Sequence, residues 1–457
     1  MGYYILKSYR LKVEPSRVFE ALRAKKSCFF LDSSLNSNPM GRYSFLGIDP
    51  FYILESRNND PLPRLRELLD SYKLHIRGCD IPFLGGAVGY MGYDLGFILE
   101  KKVKSRPKPG PGIPDCSFGF YNSSVIIDHH KGLIYIFACG LPEKRERLAR
   151  ALSESNFRKL YKLLCGMKEG SSGSKKVYHK EYSSELNSNF TRGDYISAVK
   201  AAKEYIRRGD IYQVNLSQGF SAKTDMPAFH IYERLRRISP SSFSAYLDCR
   251  EYQILSSSPE SFLRVRDNAL VTTRPMKGTR PRSRNRPCDI KLKKELLESE
   301  KDKAELMMIV DLERNDLGRV CDYDSIGVSR LRDIEEYSTV FQTTATIRGR
   351  LHKDKDRVDL LRACFPGGSI TGCPKIRAME VIEELEPSRR SIYTGSLGYL
   401  SFSGDMDSNI LIRTILKKGS YFYFGAGGGI VADSRPEDEY RETLVKARAM
   451  IRAIKGY

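Results

Sequence analysis

The chain has 457 residues, of which 41% are apolar and 29% charged, and these proportions indicate a globular protein with a large core. Its formal net charge is +20, but Lys and Arg are spread along the whole sequence and interleaved with acidic residues. This spread argues against a nucleic-acid-binding face, which needs clustered basic side chains. It fits solubility and the steering of anionic substrates.

Two absences in the sequence bear on location and cofactor class. No apolar run reaches the length of a membrane-spanning helix, and the N-terminus lacks a secretory pattern. The ten cysteines include no Cys-x-x-Cys pair, which argues against a zinc site and a disulfide framework. We therefore expect a cytoplasmic protein with reduced thiols and with no membrane or nucleic-acid partner.

The N-terminal part of the sequence indicates short strands joined by turns. Residues 125–127 and 133–138 flank a predicted hairpin turn at 128–132, and 142–164 has helical spacing. A run rich in glycine and serine at 169–176 is the clearest linker. It predicts an N-terminal region, a linker and a C-terminal region at 1–165, 166–182 and 183–457.

The first strong strand signal after the linker is an alternation of apolar and polar residues over 212–217. It predicts a strand with Gln213, Asn215 and Ser217 on one face. Surface strands show the same pattern, so the polar face alone is weak evidence for a site.

Two helical segments, 291–311 and 439–454, each carry two carboxylates spaced three residues apart. The pairs are Asp302 with Glu305 and Glu439 with Glu442. Such pairs are usually solvated helix surface. The apolar run at 307–310 favours a second interpretation, in which carboxylates from the two helices share a Mg²⁺ ion.

Two glycine-rich stretches, 366–372 and 425–429, offer backbone N–H groups that no side chain covers. The first precedes a predicted helix at 375–384, and the second follows an aromatic strand at 421–424. Each is a candidate anion cradle. A tight bend after the strand explains the second stretch equally well.

Taken together, these stretches resemble the chorismate-utilising enzymes, which include the anthranilate synthase large subunit, aminodeoxychorismate synthase component I, and the isochorismate and salicylate synthases. The matching segments occur in order at 209–215, 258–262, 274–282, 308–312, 314–317, 366–377, 393–395, 409–414 and 425–443. Upstream, 41–47 and 85–95 look like the N-terminal region of the two amine-forming members. The resemblance implies an α+β fold of two large antiparallel β-sheets packed as a sandwich, with helices outside and both halves of the chain contributing.

Two positions separate the reactions within this family. Members that add water carry a lysine base where this chain has Gln213, and glutamine cannot deprotonate water, so the resemblance implies ammonia as the nucleophile. Aminodeoxychorismate synthases carry a lysine in a Pro-x-Lys-Gly-Thr setting, which Lys277 matches, whereas anthranilate synthases typically have alanine there. Without this motif, Lys277 reads as a lysine of a surface loop.

The resemblance also implies a reaction sequence. Lys277 attacks C2 of the chorismate ring, the C4 hydroxyl leaves with a proton from Glu260, and ammonia then attacks C4 and expels the lysine. The attacking lysine must be neutral, so its surroundings should lower its pKa.

The implied cofactor is Mg²⁺, which would hold the ring carboxylate of the substrate. Glu305 and Glu442 match its direct ligands, and Asp302 and Glu439 match supporting positions. Asp302 is shorter than the glutamate of some relatives, and it would act through a water.

The remaining candidate residues are expected to hold the substrate. Tyr393 and Arg413 match residues that hold the enolpyruvyl carboxylate, and the amides of 427–429 match a cradle for the other carboxylate. The full predicted set is Tyr393, Arg413, Thr371, Gln342, Gly427, Gly428 and Gly429. Gln342 departs from the histidine of many relatives. It can hydrogen-bond near C4 but lacks the acid–base chemistry of histidine.

These features favour the large subunit of a 4-amino-4-deoxychorismate synthase, which serves p-aminobenzoate and folate synthesis. The rival is an anthranilate synthase large subunit of tryptophan synthesis. A remote alternative is a basic nucleic-acid-binding protein on a dead scaffold, against which the intact candidate residues argue. The sequence shows no glutaminase nucleophile and nothing after the last helix for a lyase. We therefore expect a separate glutamine amidotransferase subunit and a separate downstream lyase.

A regulatory site is also implied by the N-terminal region, which resembles the tryptophan pocket of relatives. Its candidate residues are Ser33, Ser34, Arg42 and Tyr43. The sequence leaves open which ligand this pocket binds.

Overall fold

The computed structural model describes residues 3–10, 13–23, 27–35, 41–76, 78–167, 185–337 and 340–456. Residues 168–182 of the predicted linker lie outside these ranges, so the region boundary there stays a prediction. No helix within the described ranges is both long and apolar enough to cross a membrane.

The described residues form 22 strands and 11 helices. The strands are β1 (Tyr4–Arg10), β2 (Cys28–Asp32), β3 (Tyr43–Ile48), β4 (Tyr52–Ser56), β5 (Gly86–Met91), β6 (Cys116–Tyr121), β7 (Ser123–Asp128), β8 (Leu133–Cys139), β9 (Leu186–Ser188), β10 (Gln213–Lys223), β11 (Phe243–Asp248), β12 (Tyr252–Ser258), β13 (Ser261–Arg266), β14 (Leu270–Arg274), β15 (Met276–Pro281), β16 (Gly327–Glu336), β17 (Val340–Arg350), β18 (Gly372–Cys373), β19 (Ser396–Ser401), β20 (Met406–Ile410), β21 (Thr414–Lys418) and β22 (Tyr421–Ile430). The helices are α1 (Pro15–Leu22), α2 (Leu62–Ser71), α3 (Leu95–Leu99), α4 (Glu146–Cys165), α5 (Arg192–Arg207), α6 (Ala228–Ile238), α7 (Arg286–Glu298), α8 (Glu300–Gly318), α9 (Arg357–Cys364), α10 (Lys375–Leu385) and α11 (Pro436–Lys455).

The strands form two large sheets. Among the described residues, the first sheet has the order β1-β8-β7-β3-β2-β11-β12-β21-β22-β10-β18, and β9 also pairs with β10. The second has the order β15-β17-β14-β13-β20-β19-β5-β6-β4, and β16 also pairs with β17. Strands from the two halves of the chain pair antiparallel in both sheets, as β2 does with β11 and β5 with β19.

The two sheets pack face to face, and helices cover the outer face of the first. Phe45 of β3 and Tyr399 of β19 face each other across the sandwich, with ring centroids 5.6 Å apart. Neighbouring residues of a strand point to opposite faces. Phe29 accordingly lies in the core between the sheets, whereas Phe30 stacks on Phe19 of α1 with centroids 5.1 Å apart. The predicted sandwich fold is confirmed.

The predicted helix at 291–311 is wrong in one respect, because two helices occupy this stretch. α7 ends at Glu298 and α8 begins at Glu300. Between them, the Ser299 hydroxyl accepts a hydrogen bond from the Asp302 backbone N–H at 3.2 Å and caps the first turn of α8. Serine is a common helix cap, so this break had a signal in the sequence.

Candidate active site

The predicted site residues come from strands near one edge of each sheet and from two flanking helices. The first sheet contributes β10 and β22, the second contributes β15 and β17, and α8 and α11 contribute carboxylates. The charges of three carboxyl groups, those of Glu305, Glu260 and Glu442, act on the Lys277 amine and raise its pKa. Residues far apart in the sequence therefore converge on one lysine.

Lys277 lies on β15 beside a break in the strand register. It pairs with Thr343 of β17, and the register shifts immediately after it. The next residue, Gly278, has a φ of +72°, and a Cβ there would lie 3.0 Å from the carboxyl carbon of Asp302. Glycine therefore suits both the backbone angle and the close packing, which explains the Lys-Gly order of the motif.

The Lys277 side chain reaches the loop before β18, where its Nζ donates a hydrogen bond to the Ser369 carbonyl at 3.2 Å. Burial lowers the pKa of this amine, although the charges of Glu305 and Glu260 oppose the shift. A lowered pKa enlarges the neutral fraction of the amine, which is the form that attacks carbon.

Glu260 lies in the turn between β12 and β13 and is only 5% exposed. Burial raises the pKa of its carboxyl group, against the effects of a hydrogen bond from Ser369 and the charge of Lys277. A carboxyl group with a raised pKa stays protonated over a wider pH range. This property suits the predicted role of Glu260 as general acid.

Three buried amide side chains have atoms without a hydrogen-bond partner among the described residues. They are both amide atoms of Gln213, Oδ1 of Asn215 and Oε1 of Gln342. Gln213 lies against Gly429, where a Cβ would approach its Nε2 to 2.6 Å, and Gln342 donates to Thr279 Oγ1 at 3.3 Å. Because an unpaired buried amide costs about 1–3 kcal/mol, these atoms are available to hydrogen-bond a polar ligand or water.

Tyr393 lies beside β22, and Arg413 immediately precedes β21. A Cβ on Gly425 would come within 2.4 Å of the Tyr393 ring, so the ring lies directly on the strand backbone. Arg413 has a φ of +49°, and its Nη1 donates to Ser239 Oγ at 3.2 Å. Burial lowers the pKa of Arg413. Its remaining N–H groups suit a carboxylate, which a guanidinium binds in a bidentate manner.

The glycines at 427–429 lie inside β22 rather than in a bend after it, so the predicted end of the strand at 424 is wrong. The strand continues because β10 pairs with it through this stretch. On the other side, β21 pairs with β22 only as far as Phe424. Among the described residues, one edge of the glycine stretch therefore has no strand partner, which leaves backbone N–H groups for an anion.

Behind the site lies a buried ion pair that the sequence analysis missed. The Arg390 and Glu386 side chains are 2% and 4% exposed, and Arg390 Nη2 donates to Glu386 Oε1 at 2.7 Å. Arg390 also donates to the Asn215 carbonyl at 2.7 Å, and Ser217 donates to Glu386 through both its N–H and its hydroxyl. Part of the polar face of β10 therefore serves this ion pair. The sequence does show opposite charges four residues apart at Glu386 and Arg390, but exposed pairs on helices have the same spacing.

The carboxylates of α11 lie over the glycine stretch. A Cβ on Gly428 would lie 3.2 Å from Glu439 Oε2 and 3.3 Å from Glu442 Oε1. Glu442 also pairs with Lys446 Nζ at 2.7 Å, and Glu439 accepts a hydrogen bond from Ser434 at 2.6 Å. Gly428 thus leaves room for two carboxylates side by side.

The carboxylates of α8 have different surroundings. Asp302 pairs with Arg280 at 3.0 Å, and Glu305 lies 3.9 Å from Lys301. Burial raises the pKa of Glu305 against the charge of Lys277. Within the described ranges, no three acidic, histidine or cysteine side chains form a group that could hold a metal ion. The residues nevertheless fit Mg²⁺, which takes one or two protein carboxylates and completes its shell with water and substrate oxygens.

Known proteins resemble this chain over most of its length. A family model described as chorismate binding enzyme matches residues 26–452. The chain belongs to the chorismate-binding enzyme family. The anthranilate synthase component 1 of Acetivibrio thermocellus is 38% identical to it over 459 residues, which cover 96% of the chain and 92% of that relative.

Two further relatives bear on the type of chorismate-binding enzyme. The aminodeoxychorismate synthase component 1 of Salmonella typhimurium is also 38% identical, over 438 residues that cover 92% of the chain and 91% of that relative. The solved structure of anthranilate synthase component I from Streptococcus pneumoniae matches with a TM-score of 0.80 at 33% identity, covering 91% of this chain and 93% of that one. The chain is thus a chorismate-utilising enzyme of the anthranilate and aminodeoxychorismate synthase type.

This chorismate-binding enzyme also has a cavity of about 240 Å³ between the two sheets, away from Lys277. Three of the four predicted regulatory residues line it, namely Ser33, Arg42 and Tyr43. Ser34 instead turns its hydroxyl to the Ser241 carbonyl at 2.9 Å. The regulatory role of this cavity stays a prediction.

Thr371 is fully buried, and its hydroxyl donates within its own loop to the Gly367 carbonyl at 2.9 Å. Its carbonyl accepts from the Asn215 N–H at 2.8 Å. These contacts fasten the glycine-rich loop to β10, and the predicted contact of Thr371 with substrate stays a prediction.

Proposed function

We propose that the enzyme aminates chorismate at C4 to form 4-amino-4-deoxychorismate. The observation that carries this proposal is the position of the half-buried Lys277, whose amine has a lowered pKa and lies near the carboxyl groups of Glu260 and Glu305. Anthranilate synthesis requires no lysine nucleophile at this position. Removing a lysine amine from water costs free energy, and a residue with only a structural role would not need to carry that cost.

The proposed reaction uses two successive displacements. The neutral Lys277 amine forms a bond to C2, both ring double bonds shift by one position, and the bond from C4 to its hydroxyl breaks. Glu260 gives its proton to the departing oxygen, which leaves as water. Ammonia then bonds to C4, both double bonds shift back, and the C2–Nζ bond breaks to return the neutral amine. The new C4 ammonium gives a proton back to Glu260. Two displacements give retention at C4.

Gln213 and Gln342 are proposed to orient the reacting groups through their unpartnered amide atoms. Neither can take a proton from water, so ammonia meets no competing activated water there. Tyr393, Arg413 and the free edge of 427–429 are proposed to hold the substrate carboxylates. Glu305 and Glu442, supported by Asp302 and Glu439, would hold Mg²⁺, which screens the charge of the ring carboxylate when bound.

Removal of divalent metal is expected to abolish the reaction, and added Mg²⁺ is expected to restore it. Because Glu442 is a proposed ligand, Glu442→Gln should raise the Mg²⁺ concentration for half-maximal rate by at least about tenfold. Glu437→Gln is the matched control, since Glu437 lies on the same helix with a side chain 46% exposed. Full activity of the wild-type enzyme in a chelator would contradict the metal assignment.

The product assay tests the proposed function. The enzyme is incubated with chorismate, Mg²⁺ and an ammonium salt, and the product is identified by mass spectrometry and fluorescence. We expect 4-amino-4-deoxychorismate, which an added lyase converts to p-aminobenzoate. Fluorescent anthranilate formed without added lyase would contradict the proposal. It would establish the second candidate, an anthranilate synthase component 1. This candidate is considered because the relative with that name is as similar to the chain, at 38% identity, as the relative named aminodeoxychorismate synthase component 1.

We propose in addition that a separate glutamine amidotransferase supplies the ammonia. Affinity purification from cell extract should recover such a subunit, and glutamine should then replace ammonium in the assay. Recovery of no amidotransferase, together with rapid turnover at low ammonium concentration, would contradict this partner.

A further inference from the structure

A buried carboxyl group with no role in the proposed reaction lies behind Glu260. Glu313 of α8 is 8% exposed, and its Oε2 lies 2.8 Å from the hydroxyl of Thr273 on β14. The same hydroxyl lies 2.6 Å from the Phe262 carbonyl. A Cβ on Gly368 would lie 3.7 Å from Glu313 Cγ, so Glu313 also packs under the loop that carries Ser369.

Phe262 belongs to an irregular stretch that begins just after Glu260. The register of β13 shifts between Ser261 and Arg264 against both of its neighbours, β14 and β20. The two carbonyls inside this bulge each accept from a side-chain hydroxyl, Phe262 from Thr273 and Leu263 from Ser408 at 3.2 Å. Bulges of this kind redirect the chain and the side chains beside them.

Proton counting links the state of Glu313 to the hydrogen bonds of Thr273. A threonine hydroxyl has one proton to donate. If Thr273 donates it to the Phe262 carbonyl, then its oxygen must accept from Glu313, which requires a protonated carboxyl group. If Glu313 were ionised, Thr273 would donate to the carboxylate, and the Phe262 carbonyl would lose its hydroxyl partner.

The surrounding charges favour the protonated form. Burial raises the pKa of Glu313 to about 8, and the negative charges of Glu260 and Asp316 act in the same direction. Lys375 of α10 opposes the shift, but its Nζ pairs with Asp316 and donates to the Cys364 carbonyl at 3.0 Å. The hydrogen-bond geometry and the charges therefore agree.

We propose that Glu313 is a positioning residue, held as a neutral carboxylic acid whose hydrogen bond to Thr273 fixes the bulge that presents Glu260 to the substrate. This inference rests on the proposed function for its effect on catalysis, but not for the state of the carboxyl group. Ionisation of Glu313 should release the bulge and slow the reaction.

The first test compares the kcat of the wild type with that of Glu313→Gln from pH 7 to pH 9. A glutamine amide donates to Thr273 but cannot ionise, so the variant should keep kcat within about threefold at pH 7. Because about nine tenths of a carboxyl group with a pKa of about 8 is ionised at pH 9, the ratio of variant to wild-type kcat should rise about tenfold. The ratio cancels the changing ammonia fraction. A ratio that does not change with pH would overturn the proposal.

The second test is independent of the reaction. The folded protein keeps a proton on Glu313 that the unfolded chain releases above its ordinary pKa of 4.5. Stability should therefore fall as pH rises from 4.5 towards about 8 and change no further above it. The melting temperature of Glu313→Gln minus that of the wild type should increase across this window. A constant difference would overturn the proposal.

A matched pair at Thr273 completes the experiment. Thr273→Ser keeps the hydroxyl and should keep kcat within about threefold, whereas Thr273→Val should lower kcat by up to about 100-fold with little change in KM. A folded Thr273→Val variant with normal kcat would overturn the proposed role of the hydrogen bond between Glu313 and Thr273. If the wild-type enzyme formed no amine product, the proposed function would be refuted. The melting temperatures of Glu313→Gln and the wild type would still show whether Glu313 is neutral in the folded protein.

Discussion

Replacement of Lys277 by alanine is expected to lower the rate of chorismate amination by at least about 1000-fold, because the proposed mechanism has no other nucleophile to attack C2. The loss should appear in kcat rather than KM, since the carboxylates of the substrate are held by other residues. Single-turnover measurements with saturating chorismate and ammonium separate the two effects. In the wild type, rapid quenching and mass spectrometry should detect the adduct on the peptide that contains Lys277.

Two controls make this result specific to the nucleophile. Lys277→Arg keeps a positive charge but stays protonated, so it should be as inactive as the alanine variant. Lys291→Ala removes a lysine whose side chain is 78% exposed on α7, and its rate should match the wild type. An alanine variant at 277 that retains the full amination rate would exclude the covalent mechanism.

Arg390→Ala is expected to destabilise the protein by about 3–5 kcal/mol, the range found when one partner of a buried ion pair is removed. Glu386 would then lie buried with its charge unpaired, and the carbonyls of Ile370 and Asn215 would each lose a donor. Urea unfolding monitored by circular dichroism measures the change. The midpoint concentration should fall while the slope with urea stays the same.

The neighbouring arginine provides the control for this prediction. Arg389 is 30% exposed and lies 3.9 Å from Asp94, beyond hydrogen-bond distance, so Arg389→Ala should destabilise the protein less than Arg390→Ala. A double replacement, Glu386→Gln with Arg390→Met, removes both charges and should cost less than Arg390→Ala alone. Equal stability of Arg389→Ala and Arg390→Ala would show that the buried pair contributes little.

The candidate residues that depend on local sequence could be proposed from the sequence, and their roles stay predictions. Lys277 followed by Gly278, and the acidic pairs of two helices, are short patterns whose chemistry is visible without a fold. The hairpin predicted around 128–132 is confirmed, with β7 ending at Asp128 and β8 beginning at Leu133. Turn residues and strand alternation act over a few positions, so a linear pattern records them.

Such local patterns could not predict the pairing of strands that lie far apart in the sequence. Nothing around Phe29 indicates that β2 pairs with β11, about 200 residues further along the chain. The glycines at 427–429 show the same limit. Locally they favour a bend, but pairing with β10 extends the strand through them. A partner strand supplies hydrogen bonds that local propensity does not contain.

By itself, the sequence determined the family and the order of the motifs, and it supplied Lys277 as candidate nucleophile and Glu260 as candidate acid. The tertiary structure decided which of the charged groups are buried and what each one faces. The lowered pKa of Lys277, the ion pair of Arg390 and the neutral state inferred for Glu313 all depend on this environment. The physical reason is that desolvation and charge–charge energies depend on distances in space, which only the folded chain sets.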